Sequence, residues 1–347
     1  MLGELLQIAD SLGMTVALGL DLAKEINGFS YKDEEEVEIQ FQRIKQVVER
    51  YKDHPALLFW IIGNEVNQGS TSSDVWKEVN RIAEMIHETD PEHPVTTSII
   101  PSRSNIMRAR FFTPEIDFLS FNIFHELPSL STKLDHWLWG WKGAYVITEW
   151  GPQGWWETTR TSWKAPLESN STSKSESYKR LYPYIANDKK CMGSYSFYWG
   201  SKQEKTPTWF SMFVHGDATE AVDIVAQHWS GITPDNHAPG IKHFWLKGKK
   251  QGELTLLANE ECEWELQAFD NDKDTLTVIY EIRKEVAEFL EPYQEDELPQ
   301  LITSGITKSF TGRFNAPEQS GPYRIYIYVK DGKGKIATAN IPFWVSN

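Results

Sequence analysis

The stretch from His54 to Asn67 limits what this chain can fold into more than any other. From Ala56 to Gly63 every residue is apolar or glycine, with no polar alternation. Such a run is too short for a free-standing helix and reads as a strand buried on both faces, as in parallel α/β sheets. It stops abruptly at Asn64-Glu65. In α/β barrels the C-terminal strand ends hold the chemistry, so Glu65 is a candidate catalytic carboxylate. The competing reading is a surface glutamate that closes a strand.

The surrounding segments repeat the pattern. Leu5, Ile8 and Leu12 share a helical face that Gly13 ends, and Thr15 to Leu22 reads as a buried strand. Asp33 to Glu36 opens a long amphipathic helix to about Tyr51, its acidic residues at the positive end of the helix dipole. Ser70 to Ser73 can cap a helix through Trp76, Ile82 and Ile86. Strands follow at Val95 to Ile100, Ile116 to Phe121 and Ala144 to Ile147, with helices near Leu134 to Trp139 and Ser175 to Ile185. Gly193 to Trp199 is the last strand and Ala218 to Gln227 the last helix of this half. Strict alternation of buried strands and helices predicts a parallel sheet, open or closed. No glycine-rich phosphate loop supports a nucleotide-binding doubly wound fold, so a barrel is favoured.

From about Gly240 the texture changes to short, often alternating segments between turn residues: Glu253–Leu257, Glu263–Ala268, Leu276–Ile282, Gly312–Phe314, Tyr323–Lys330 and Lys335–Phe343. That pattern predicts an antiparallel β-sandwich. The expected division is 1–238 for the barrel and 239–347 for the sandwich, with the break near Pro234–Pro239. The acidic run Glu295-Asp296-Glu297, between Pro292 and Pro299, is expected in an exposed loop.

Composition narrows the function classes. A formal net charge of −14 with no offsetting basic patch argues against a nucleic-acid partner. No apolar run approaches the length of a membrane span. Cys191 and Cys262 lie far apart and suggest neither a disulfide framework nor a metal site. Several of the 15 tryptophans cluster in loops rather than strands, which raises the odds of a carbohydrate ligand, because indole faces stack on sugar C–H faces.

Glu149 repeats the setting of Glu65, just past a short apolar strand and three strand-helix steps further on. Two carboxylates on strands four and seven of a barrel would face each other across its mouth. A retaining glycosidase needs that arrangement, with carboxyls roughly 5–5.5 Å apart. Asn64 would donate to the sugar hydroxyl beside the reacting carbon, and Trp199 would form a floor for sugar stacking. The competing reading is two unrelated surface glutamates.

His54-Pro55 through Asn64-Glu65, followed by Ile147-Thr148-Glu149-Trp150-Gly151, resembles the barrel domain of glycoside hydrolase family 2 and its wider clan. The clan holds β-galactosidases, β-glucuronidases, β-mannosidases and, more distantly, fungal β-1,3-glucanosyltransferases. The resemblance covers about residues 2–230. It implies Glu65 as general acid/base, Glu149 as nucleophile, net retention, and no metal or organic cofactor. Asn64 carries over as the sugar-hydroxyl contact and Trp199 as a subsite platform, with Asn122, Trp150 and Trp156 completing the expected substrate-binding set. The fold implied is a (β/α)8 TIM barrel, N-terminally incomplete with about six strand-helix units, followed by an all-β, immunoglobulin-like sandwich. A β-linked oligo- or polysaccharide is the implied partner, and an extracellular or periplasmic location is expected although no signal-peptide pattern opens the sequence.

Three departures from the family pattern stand out. The chain begins at what reads as the helix before the third barrel strand, so two strand-helix units, roughly 60 residues, are expected outside it. Asn122 is followed by Phe124, where many relatives carry a tyrosine bonded to the nucleophile, and His125 is the candidate substitute. The sandwich domains that usually precede the barrel in the family are not expected within these 347 residues. The loop carrying Trp155, Trp156 and Trp163 either lines subsites for a chain-like glucan or pins itself down by burying indoles. Asp270, Asp272 and Asp274 alternate in a turn and form a weak Ca²⁺ candidate, with a solvated turn favoured. Rival functions are a β-glucan transglycosidase, a carbohydrate-binding pseudoenzyme and a structural surface protein.

Overall fold

A computed structural model describes residues 2–70, 72–286 and 297–347. Glu295 and Asp296 of the acidic run lie outside the described residues. The chain forms two compact units, one comprising residues up to Trp150 together with Ile185–Tyr195, the other Gly151–Tyr184 together with Ser196–Asn347.

In the first unit six strands form one sheet in chain order: β1 (Val16–Leu20), β2 (Leu57–Asn64), β3 (Val95–Ile99), β4 (Leu119–Asn122), β5 (Tyr145–Trp150) and β6 (Cys191–Ser196). The pairings from β1 to β5 are all parallel. Helices α1 (Leu2–Ser11), α2 (Glu34–Tyr51), α3 (Asp74–Thr89), α4 (Arg103–Phe112) and α5 (Leu130–Leu134) precede or separate the strands. Parallel neighbours joined by helices in strict chain order are the winding of a curled half-barrel, as the alternation predicted.

The run that begins at Ala56 is β2. Phe59 and Ile61 pack on one face with Phe118, Val146 and Ala17. Trp60 and Ile62, pointing the other way, are fully buried. Burial on both faces is interrupted at Leu58, which is 43% exposed, and ends at the exposed Asn64. Beneath that second face α3 buries Trp76, Val79, Ile82, Ala83 and Ile86, a wide apolar stripe at helical spacing. Trp60 Nε1 donates to Asp90 Oδ2 at 2.8 Å and so satisfies its buried N–H. Helix α2 starts as expected: Asp33 Oδ1 accepts from Glu36 N at 3.2 Å, ahead of three glutamates in the first turn.

One expected helix is displaced. Helix α5 ends at Leu134, and residues 136–139 form a turn instead. His136 Nδ1 accepts from Leu138 N at 3.3 Å, and its ring stacks 4.4 Å from Trp139. The side chain takes over amide donors that a continuing helix would have used.

The second unit contains α6 (Ser171–Ala186, all but its last turn), the pair β7 (Phe213–Val214) and β8 (Asp217–Ala218), and α7 (Glu220–Ser230). Its β part is formed by β9 (Gly240–Leu246), β10 (Thr255–Leu257), β11 (Glu261–Phe269), β12 (Thr277–Lys284), β13 (Leu301–Thr307), β14 (Thr311–Asn315), β15 (Gly321–Lys330) and β16 (Ile336–Ser346). The sheets run β10-β16-β15-β12-β13 and β14-β11-β9. In β11, Cys262, Trp264 and Leu266 are buried while Glu261, Glu263 and Glu265 face out, the alternation of a half-covered sheet. β9 and β13 were not legible as strands. β13 is an edge strand with Ile306 74% exposed, so no buried stripe marked it.

β15 and β16 are buried on both faces. Ile325, Ile327 and Val329 face the core between the sheets. On the opposite face Arg324 and Asn340 meet the segment 166–171. The buried Glu168 carboxylate accepts from Lys174 Nζ, Thr206 Oγ1 at 2.5 Å, Thr208 Oγ1 at 2.8 Å and Asn340 Nδ2 at 2.6 Å. Arg324 donates to Pro166 O at 2.9 Å, Asn340 Oδ1 at 2.6 Å and Glu285 Oε2 at 2.9 Å. Burial alone would push the Glu168 carboxyl up. The Lys174 ammonium and the Thr206 hydroxyl outweigh it and hold the carboxyl below its ordinary range.

Glu220, at the start of α7, goes the other way: burial pushes its carboxyl up to about 7, against a hydrogen bond from Thr172. An acid raised in the native state keeps its proton where the unfolded chain has lost it. Its contribution to stability is therefore complete below about pH 4.5 and is lost as pH rises through about 7. Urea titrations at pH 5 and pH 8 should show wild type losing on the order of 1–3 kcal/mol relative to Glu220→Gln. Parallel pH profiles for the two proteins would refute this.

Candidate active site

The site is built at the C-terminal ends of β2, β4 and β5. Gly63 (φ 65°) and Glu65 (φ 51°) both adopt left-handed backbone and turn the chain out of β2. A Cβ on Gly63 would lie 2.1 Å from Val66 Cγ1 and 3.0 Å from Leu22 Cβ, so only glycine fits. Gly63→Ala should therefore cost about 1–3 kcal/mol, from the left-handed conformation and the clash together. A melting temperature within a degree of wild type would contradict that reading of the turn. Glu65, the strained non-glycine residue, is held by its N–H donating to Ser98 O at 2.9 Å.

The carboxylate of Glu65 accepts from Gln68 Nε2 on one oxygen and from Asn122 Nδ2, at 3.1 Å, on the other. Asn122 is 3% exposed, and its orientation is fixed from behind. Its Oδ1 accepts from Ser98 Oγ and Thr148 Oγ1, each at 2.8 Å, which leaves its amide nitrogen for Glu65 and for Asn64 Oδ1 at 2.8 Å. Asn64, its oxygen engaged, turns its own nitrogen to Glu149 Oε1 at 3.4 Å. Glu149 is anchored through its carbonyl, which accepts from Ile123 N at 2.9 Å. Two amide side chains thus connect two half-buried carboxylates, with their donors and acceptors assigned by the hydroxyls beneath.

Lys24, on the turn after β1, donates to Gln68 Oε1 at 3.4 Å. Half-burial lowers its proton affinity, and the charges of Glu65 and Glu149 oppose that fall.

Asn64, Glu65, Asn122 and Glu149, expected from sequence, are therefore brought together. Trp150 is fully buried in the same unit, and His125 is exposed, acting electrostatically on Glu126. Trp156 (48% exposed) and Trp199 (49% exposed) belong to the second unit. There Trp156 packs against Phe210, and Trp199 stacks on Trp229 with centroids 5.6 Å apart. Sequence reasoning passed over Ser98, Thr148, Gln68 and Lys24. A signal existed for Ser98: β3 is buried at every position yet reads Val-Thr-Thr-Ser-Ile, and buried hydroxyls need partners.

Asp270, Asp272 and Asp274 each offer an oxygen within a 4.8 Å cluster in the second unit. Asp274 is paired with Lys333 Nζ at 2.5 Å, and Asp272 accepts from the His237 backbone at 2.7 Å. Asp270 caps the turn by accepting from the N–H groups of Asp272 and Asp274. The ammonium and the turn amides engage Oδ1 of Asp274 and of Asp270, while Oδ2 of each is buried without a hydrogen-bond partner, so the donor set suits a hard cation.

Residues 5–150 match the model of glycosyl hydrolases family 2, TIM barrel domain. No curated protein matches the sequence. Among solved structures, a Bacteroides uniformis β-glucuronidase bound covalently to cyclophellitol-6-carboxylate aziridine aligns at 11% identity and a TM-score of 0.47. That alignment takes in 99% of this chain, which spans 40% of the length of the Bacteroides protein. A Rhizomucor miehei β-1,3-glucanosyltransferase aligns at 13% identity and a TM-score of 0.42, over 60% of this chain and 75% of that one. A β-galactosidase from Rahnella sp. R3 gives 13% identity and 0.40, over 62% and 45%. No helix among the described residues is long and apolar enough to cross a membrane. Over residues 5–150 the chain is thus similar to the TIM barrel domain of glycosyl hydrolases family 2.

Proposed function

We propose that this chain carries the reacting groups of a retaining β-glycosidase acting on β-glucan or β-galactoside-like substrates. The observation that supports it best is the pair Glu65 and Glu149, linked through Asn64 and Asn122 at the strand ends. Glu65 gives its proton to the glycosidic oxygen as the C1–O bond breaks, while a Glu149 oxygen bonds to C1. Water then adds to C1, loses its proton to Glu65 and releases Glu149. A sugar hydroxyl in place of water makes the same step a transglycosylation. In this reading Asn64, exposed and accepting from Asn122 through its oxygen, meets the sugar hydroxyl next to C1, a contact that strengthens as oxocarbenium character grows.

The test is covalent trapping. Activated 2-deoxy-2-fluoro-β-glycosides of glucose, galactose, mannose and glucuronic acid should leave one of the four sugars on the peptide containing Glu149, read by mass spectrometry. Labelling elsewhere, or none of a folded protein by any of the four, would defeat this assignment.

A further inference from the structure

The turn after β1 is locked onto the turn after β2 at three points. Gly63 packs on Leu22, and a Cβ at Gly69 would lie 2.6 Å from Ile26 Cβ and 2.9 Å from Ile26 Cα, so the two loops touch at backbone distance. Between these contacts Lys24 Nζ donates to Gln68 Oε1, and Gln68 Nε2 donates to Glu65. The amide of Gln68 is thereby oriented by Lys24, its oxygen toward the ammonium and its nitrogen toward the carboxylate.

Resting on the two-glutamate reading above, we propose that Lys24 is a positioning residue for that reaction: tied to Glu65 through Gln68, its ammonium balances one of the two carboxylates throughout the cycle. Glu65 faces Lys24 from β2 and Glu149 from β5, and both charges act on it. On its own turn stand Glu25 and Asp21, the latter engaged with Arg43 of α2. The ammonium lowers the cost of having both carboxylates charged at one mouth. When Glu149 becomes an ester its charge disappears, and the Lys24 ammonium acts on Glu65 without competition from Glu149. It then stabilises the carboxylate that Glu65 becomes after giving up its proton, the form required to receive a proton from water. Gln68 keeps that carboxylate in place between the steps.

The experiment compares wild type, Lys24→Met and Lys24→Arg, using ¹³C-carboxyl-labelled glutamate with Glu65 and Glu149 assigned through their Gln variants. Carboxyl titrations by NMR are run beside the pH profile of kcat/KM on an aryl β-glycoside. In Lys24→Met both carboxyl titrations, and with them both limbs of the profile, should move up by roughly one pH unit. Lys24→Arg should return them to the wild-type positions. If Lys24→Met does not fold, Lys24→Gln makes the same comparison with an uncharged hydrogen-bond donor kept at the position. Titrations unmoved in a folded, uncharged variant would overturn the proposal whatever the activity. Titrations that move in a protein cleaving no glycoside would uphold the coupling of the Lys24 charge to the two carboxylates and defeat the catalytic reading on which its role rests.

Discussion

Glu149→Gln is expected to lower kcat/KM on every aryl β-glycoside by on the order of 10⁴-fold or more, because the covalent route then has no nucleophile. Glu65→Gln should behave differently. On substrates with poor leaving groups it should lose about 10²–10⁴-fold, the usual worth of general acid–base catalysis. On dinitrophenyl glycosides, whose leaving group needs no proton, the first step should survive and glycosyl-enzyme should accumulate. Azide, which attacks without giving up a proton, should then speed turnover of Glu65→Gln and leave Glu149→Gln unaffected. Equal losses on both substrate types, or azide rescue of the wrong variant, would reverse or remove the assignments.

The second large effect concerns stability. Glu168→Leu should cost about 3–5 kcal/mol, because it leaves Lys174 charged and buried without its counter-ion and strands the donors of Thr206, Thr208 and Asn340. Adding Lys174→Met should recover part of the loss, with a coupling of about 1–3 kcal/mol in a double-mutant cycle. The sign of the pH dependence follows from the lowered carboxyl. Its contribution is present above the ordinary value of 4.5 and is lost as pH falls toward the lower native value. Chemical denaturation at pH 7 and pH 4 measures both. A loss below 1 kcal/mol at pH 7 would mean that water replaces the carboxylate in the variant.

What the sequence disclosed about the site follows from how each residue is used. Glu65 and Glu149 stand at the ends of apolar runs, where polarity changes within one residue, and such edges are readable. Asn122 was readable for the same reason at the end of β4. Gln68 and Lys24 sit in polar loops that look like any solvated turn, and only the three-dimensional approach of two loops gives them partners. The same contrast runs through the fold. Periodicity marked β11, where glutamates alternate with core residues, but not β13, an exposed edge. The network around Glu168 was invisible, because its members come from residues 166–174, 206–208, 324 and 340. No local pattern links those stretches.

The double-sided burial of β15 and β16 also bears on how the chain is made. Glu168 meets Asn340 across 172 positions, Ser171 meets Thr338 across 167 and Pro166 meets Arg324 across 158. Loop closure over such spans comes late, and non-local pairing is slow. On the ribosome the segment around Glu168 would emerge long before the strands that neutralise and cover it. Until residue 340 has left the exit tunnel, its buried ion pair has no lid. The second unit is therefore where a folding chain should depend most on chaperones, and where a truncation before β15 should yield aggregate rather than a smaller folded protein.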